Sequence, residues 1–155
     1  MASLARRILV ATDFSKTSEL ALDAAALLAH QNDAKLTLVH VLVPDGTLEM
    51  IEDPRSGLIM ADDETRERFH VELHAVCDRW FAELPRRANI ALVVSTSPSE
   101  GICHYAEHVQ ADLIVIATHG RTGLARMLNG SVAEHVVRHA PCPVLSLRAP
   151  ANHHP

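Results

Sequence analysis

Arg7-Ile-Leu-Val-Ala-Thr-Asp-Phe-Ser15 is the stretch on which the fold turns. A short, branched apolar run breaks abruptly into a polar turn, and a helical pattern follows. A run of this length, rich in Val and Ile and with no polar alternation, reads as a strand buried on both faces. Ser15 is placed to cap a helix carrying Leu20, Ala24, Leu27 and Leu28 on one face.

Working outward, the same unit recurs. Lys35-Leu-Thr-Leu-Val-His-Val41, Ile90-Ala-Leu-Val-Val94, Asp112-Leu-Ile-Val-Ile-Ala117 and Pro143-Val-Leu-Ser-Leu147 are four further apolar runs. Helical patterns separate them. Residues 62 to 84 place Phe69, Leu73, Val76, Trp80 and Leu84 at spacings of three and four. Pro98-Ser99-Glu100 opens a helix with Ile102, Ala106 and Val109 inward, and Gly130-Ser131 opens one that carries Val132, Val136 and Val137 and stops before Pro141. Strand and helix therefore alternate five strands deep, the pattern of an α/β fold with a doubly wound parallel sheet. Between residues 43 and 61, Pro44, Gly46, Pro54 and Gly57 argue against regular structure and predict a long connection or lid, the natural movable element. Residues 1–149 are expected to form one domain, and 150–155 a flexible tail.

Composition narrows the function. Of 155 residues, 48% are hydrophobic and 21% charged, while only 3% are aromatic, so the core must be aliphatic. The net charge is −5 with no Lys/Arg block, which speaks against nucleic acid as a partner. No apolar run approaches the roughly 20 residues that cross a bilayer, and the start lacks the character of a secretory signal. Three scattered cysteines, Cys77, Cys103 and Cys142, fit reduced thiols, and a cytoplasmic location is expected. The histidine pairs His70/His74, His104/His108 and His135/His139 share helix faces, and His104-Tyr-Ala-Glu-His108 matches a zinc-protease pattern. No third ligand or substrate cleft accompanies it, so solvated helix faces and no metal are expected. There is no nucleophile elbow and no Walker-type phosphate loop.

Ligands of open α/β sheets sit beyond the carboxyl ends of the strands, where strand order reverses. Thr12-Asp13-Phe14-Ser15 follows the first strand, and Thr118-His119-Gly120-Arg121-Thr122-Gly123 follows the fourth. Glycines let backbone N–H groups approach phosphate oxygens, and a helix starting at Gly130-Ser131 adds free donors. Read as residues alone, alternatives stand beside this. Asp13 also suits a helix cap, Gly120 and Gly123 also suit plain turns, and Arg121 points equally well to phosphate or to solvent.

Ile8-Leu-Val-Ala-Thr-Asp-Phe-Ser15, Leu38-Val-His-Val41 and the stretch from Asp112 to Leu147 resemble the universal stress protein family, over essentially the whole chain. Its nucleotide-binding branch carries Gly-x2-Gly-x9-Gly-Ser/Thr, and here Ala117, Gly120 and Gly130-Ser131 occupy those positions. The resemblance implies a Rossmann-like sheet of strand order 3-2-1-4-5 with helices on both faces. It implies ATP, with or without Mg²⁺, at the switch point. Ala11, Thr12, Asp13 and the backbone at Val41 would meet the adenosine end; Ala117, His119, Gly120, Arg121, Gly130, Ser131 and Val132 would hold the rest. Ala11, Thr96 and Ala117 depart from the family's usual Pro, Gly and Gly, with Thr96 adding the most bulk at the mouth. The expected role is a stress-response signalling module and not an enzyme, with slow ATP hydrolysis as a minor alternative. The competing expectation is a partner-binding homodimer with a vestigial pocket. In both cases the resemblance implies dimerisation through the last strand, at Val144, Leu145 and Leu147.

Overall fold

The computed structural model describes residues 5–46, 50–52, 59–118 and 132–150. Strand β1 (Arg7–Ala11) leads through α1 (Glu19–Asn32) to β2 (Lys35–Leu42), followed by a small hairpin, β3 (Met50–Glu52) and β4 (Ile59–Ala61). Then come α2 (Asp63–Trp80), β5 (Asn89–Val94), α3 (Pro98–His108), β6 (Leu113–Thr118), α4 (Val132–His139) and β7 (Val144–Arg148).

The main sheet has five strands in the order β5-β2-β1-β6-β7, all parallel, which is the expected 3-2-1-4-5 when the five are counted alone. Aliphatic alternation divides the core between its faces. Ile8, Val10, Leu36, Leu38 and Val115 pack against α1 and α2. Leu9, Ala11, Val39, Ile114 and Ile116 pack against α3 and α4. Burying each of these larger side chains contributes about 1.5–3 kcal/mol. Asp112 sets the register at the lower end, its carboxylate accepting from the Arg6 and Arg7 N–H groups at 3.0 and 2.9 Å.

Four expectations need correction. First, α1 starts at Glu19 after Ser18, because Phe14 turns the chain with φ +62° and Ser15–Ser18 form a separate turn. Second, its buried face is Ala21, Leu22, Ala25 and Ala29, while Leu27 is 58% exposed. Alanines every fourth residue let the helix approach the sheet closely, which a row of leucines would prevent. Third, 50–61 is not wholly irregular: Met50 pairs with Ala61 and Ile51 with Met60 in an antiparallel hairpin. Pro44 and Gly46 lie before it and Pro54 and Gly57 between its strands, so the breakers delimit the strands without interrupting them. Fourth, β7 takes the edge position that the strand order implies, but it is not buried on both faces, with Leu145 37% exposed.

The helices α2 and α3 follow the expected faces in part, with Leu73 fully buried on one and Ile102 and Ala106 on the other, but α2 ends at Trp80 before Leu84 and α3 at His108 before Val109. Asp62 caps α2, its carboxylate accepting from the Thr65 N–H at 2.9 Å and hydroxyl at 2.8 Å. Ser97 caps α3 ahead of Pro98, a residue whose missing N–H and fixed φ suit a first helical turn.

Candidate functional site

The upper end of β1 is where the sheet opens. Residues along a parallel strand direct their backbone groups alternately to the two neighbours. Thr12 N–H donates to the Val39 carbonyl at 3.0 Å, so Val39 faces β1, whereas Ser95 N–H donates to the Leu42 carbonyl at 3.1 Å on the opposite side. Val41 therefore aims its N–H and C=O towards the β1 side. But β1 pairs with β2 only as far as Ala11 opposite Val39. On the other flank, Ile114 and Thr118 bond towards β7, so Ala117 also faces β1, whose pairing with β6 ends at Val10 opposite Val115. The backbones of Val41 and Ala117 thus converge on the space that β1 vacates.

What turns the chain away is a compact set of bonds. The Thr12 hydroxyl accepts from the Phe14 N–H at 3.0 Å and shares a hydrogen with the Ser18 hydroxyl at 3.2 Å. Asp13 Oδ1 accepts from the Ser15 N–H at 2.9 Å. The Ser18 hydroxyl donates to the Ser15 carbonyl at 2.6 Å. Asp13 closes its own turn and does not cap α1, whose N-cap is Ser18, so the alternative reading of Asp13 as a helix cap fails. The residue sits exposed at the rim, while Thr12 is buried beneath it.

A cavity of about 260 Å³ fills this opening on the α3/α4 side. Its floor is aliphatic, from Val39, Val41, Ile102 and Ile116, and its rim carries the hydroxyls of Thr12, Ser15, Thr17 and Ser18 beside Asp13. The volume is near the lower bound of about 300 Å³ for small-molecule pockets. An apolar slot with convergent backbone groups and a hydroxyl rim suits a flat heteroaromatic ring carrying a polyol.

Of the residues singled out from the sequence, Ala11, Thr12, Asp13, Val41, Ala117 and Val132 line this cavity together. His119, Gly120, Arg121, Gly130 and Ser131 lie outside the described residues. Thr96 is exposed and is not among the residues that line the cavity. Sequence reasoning missed His40, Pro98, Ile102 and the hydroxyls of Thr17 and Ser18. Helix α3 follows β5 and so begins at the same end of the sheet at which β1 stops; that topology was the available signal for Pro98 and Ile102. Gly101 was missed too: a Cβ there would stand 3.0 Å from both Val41 Cγ1 and Ser95 Cβ, so the helix start reaches Val41 only because the residue is glycine.

No three His, Cys, Asp or Glu among the described residues come together to hold a metal ion. The free thiols are all pushed up by burial, Cys77 to about 11, so they stay protonated at neutral pH and are poor nucleophiles. No helix among the described residues is long and apolar enough to cross a membrane.

Comparison with known proteins gives a consistent picture. The sequence pattern of the universal stress protein family matches residues 5–148. A universal stress protein of Methanocaldococcus jannaschii is 30% identical over 156 residues, covering 96% of this chain and 85% of the relative. A universal stress protein solved in complex with cAMP is 25% identical, with a TM-score of 0.72 over 96% of this chain and 100% of that one. A member of the family from Burkholderia pseudomallei is 31% identical, with a TM-score of 0.61 over 96% and 100%.

Proposed function

The chain belongs to the universal stress protein family, and from that premise we propose that it binds an adenine nucleotide, ATP in the first instance, in the cavity at the end of β1. The observation that carries this reading is the convergence of the Val41 and Ala117 backbones above an aliphatic floor. Adenine is flat and apolar on its faces and offers both a donor and acceptors at its edge, which a strand N–H and C=O complement. In this reading the ring lies over Val39 and Ile116, with its edge at Val41. Asp13 meets the ribose hydroxyls, and the Gly120–Ser131 segment with Val132 takes the phosphates. The cAMP complex of a relative supports the adenine class. The protein then acts as a stress-response signalling module, because ligand that prefers one arrangement of the surrounding segments shifts the population towards it.

The test is mass spectrometry of nucleotide released from the purified protein, followed by ATP titration of the stripped protein with and without Mg²⁺. Co-purified adenine nucleotide or saturable micromolar binding is the expected result. No nucleotide and no binding at millimolar ATP would discard the reading. Gly130→Glu, which sets a carboxylate where phosphate would lie, is expected to abolish binding and leave thermal unfolding unchanged.

Pairing of two copies through β7 is a second part of the proposal, favoured by the position of that strand at the sheet edge. Leu145 is the exposed member, whereas Val144 and Leu147 also pack into the two cores. Leu145→Asp is therefore the clean variant. Sedimentation should show a dimer for the parent and a monomer for the variant, and an unchanged dimer would exclude this edge.

A further inference from the structure

We infer that His40 is a positioning residue of the site: it holds the Thr12 carbonyl and so fixes the turn that presents Asp13 to the ligand. The inference rests on the nucleotide-binding reading and adds to it a residue that touches the machinery from behind.

A half-buried imidazole in the apolar run from Leu36 to Leu42 calls for a reason. The side chain of His40 emerges on the same face as Leu38, the α1/α2 side, opposite the cavity floor. There it joins a three-ring cluster, 4.7 Å from Phe14 and 5.2 Å from Phe69 of α2, the latter stacked at 20°, with the two phenyl rings 6.2 Å from each other. Held in this cluster, its Nδ1 stands 2.8 Å from the Thr12 carbonyl oxygen. A carbonyl only accepts, so Nδ1 carries a proton and donates it.

The consequence follows from peptide planarity. No peptide bond of the described residues is cis. Pinning the Thr12 oxygen on the α2 side fixes the plane of the Thr12–Asp13 peptide, and with it the direction in which Asp13 leaves towards the cavity. Side-chain bonds within the turn, such as those of Thr12, Asp13 and Ser18, span six residues or fewer. His40, with the backbone of Val39, ties the turn to β2. Phe14 holds φ at +62°, a conformation that a bulky residue adopts only when its surroundings impose it, and its ring is gripped by His40. Loss of the imidazole N–H releases the Thr12 peptide and lets Phe14 relax.

Two variants separate the donor from the ring. His40→Phe keeps the stack and removes the donor; His40→Asn places an amide nitrogen near the position of Nδ1 and removes the stack. ATP titration calorimetry of the parent and both variants is run beside thermal unfolding, with ¹⁵N spectra of the histidine ring. The expected result is binding about tenfold weaker in His40→Phe without a fall in unfolding temperature. Affinity should be largely recovered in His40→Asn despite a lower unfolding temperature. The ring spectrum should report the Nδ1–H tautomer. A parent that does not bind ATP overturns the nucleotide reading and this inference with it. A parent that binds, with His40→Phe equal to it or His40→Asn as weak as His40→Phe, overturns the inference alone. An Nε2–H tautomer does the same.

Discussion

On the α1/α2 side of the sheet, Val10, Leu38 and Val115 are completely buried under helices. One position along the same strands, Ala11, Val39 and Ile116 look the other way and border the cavity. The two faces share strands, composition and aliphatic chemistry, yet one is closed and the other opens at its upper end. The closed side is sealed by close approach: Ala21, Ala25 and Ala29 bring α1 down, and Leu73 of α2 fills what remains. The open side is covered by α3 and α4, and a cavity lies beside the strand ends. Whether an aliphatic residue is core or cavity floor is thus decided by how the helices cover it and not by the residue itself.

Three substitutions test this contrast. Leu73→Ala, on the closed side, should cost the most, about 2–5 kcal/mol of unfolding free energy in urea, because tight packing leaves a cavity unfilled. ATP affinity should be unchanged, and a parallel loss of binding would mean the faces are not independent. Gly101→Val, on the open side, should cost about 1–3 kcal/mol by overpacking. It should also weaken ATP binding, because the stiff Val41 side chain is what its Cβ meets. Stability loss without any loss of affinity would remove Val41 from the site.

The smallest effect concerns Asp62, at the start of α2. Hydrogen bonds from Thr65 hold its carboxyl below the ordinary value of 3.8. A depressed folded value means the contribution is full above the unfolded value and lost as pH falls through the folded one. Asp62→Asn should therefore lower the urea midpoint slightly at neutral pH, and the gap to the parent should close below pH 3.8. A gap independent of pH would show that the side chain acts here by shape and not by charge.

Several parts of this molecule were readable from residues in order. Branched apolar runs located all five main strands, because short runs rich in Val and Ile between helical patterns favour strands. The α2 and α3 faces were also legible, because Leu73 recurs at helical spacing with Phe69, Val76 and Trp80, and Ile102 with Ala106. Helix α1 misled because hydrophobicity ranks Leu above Ala, whereas contact with a sheet rewards the smaller side chain. The hairpin escaped because three residues per strand, Met50–Glu52 and Ile59–Ala61, are too few to display a period. In the site, the candidate residues that are described line the cavity, but His40 and the hydroxyls of Thr17 and Ser18 did not stand out. The importance of His40 and Ser18 lies in contacts made at 2.6 to 3.2 Å, which no spacing in the chain encodes.

The sequence by itself determined the alternation of strand and helix, the aliphatic character of both sheet faces, the family to which the chain belongs, and the polar turn after β1. Those are properties of composition and local order, which survive in a one-dimensional string. Only the tertiary structure decided that β1 stops short of β2 and β6, that the backbones of Val41 and Ala117 converge on the vacancy, and that His40 reaches the Thr12 carbonyl from behind. The register of non-neighbouring strands and the closeness of a covering helix come from packing over long sequence distances, and the space for a ligand is what that packing leaves.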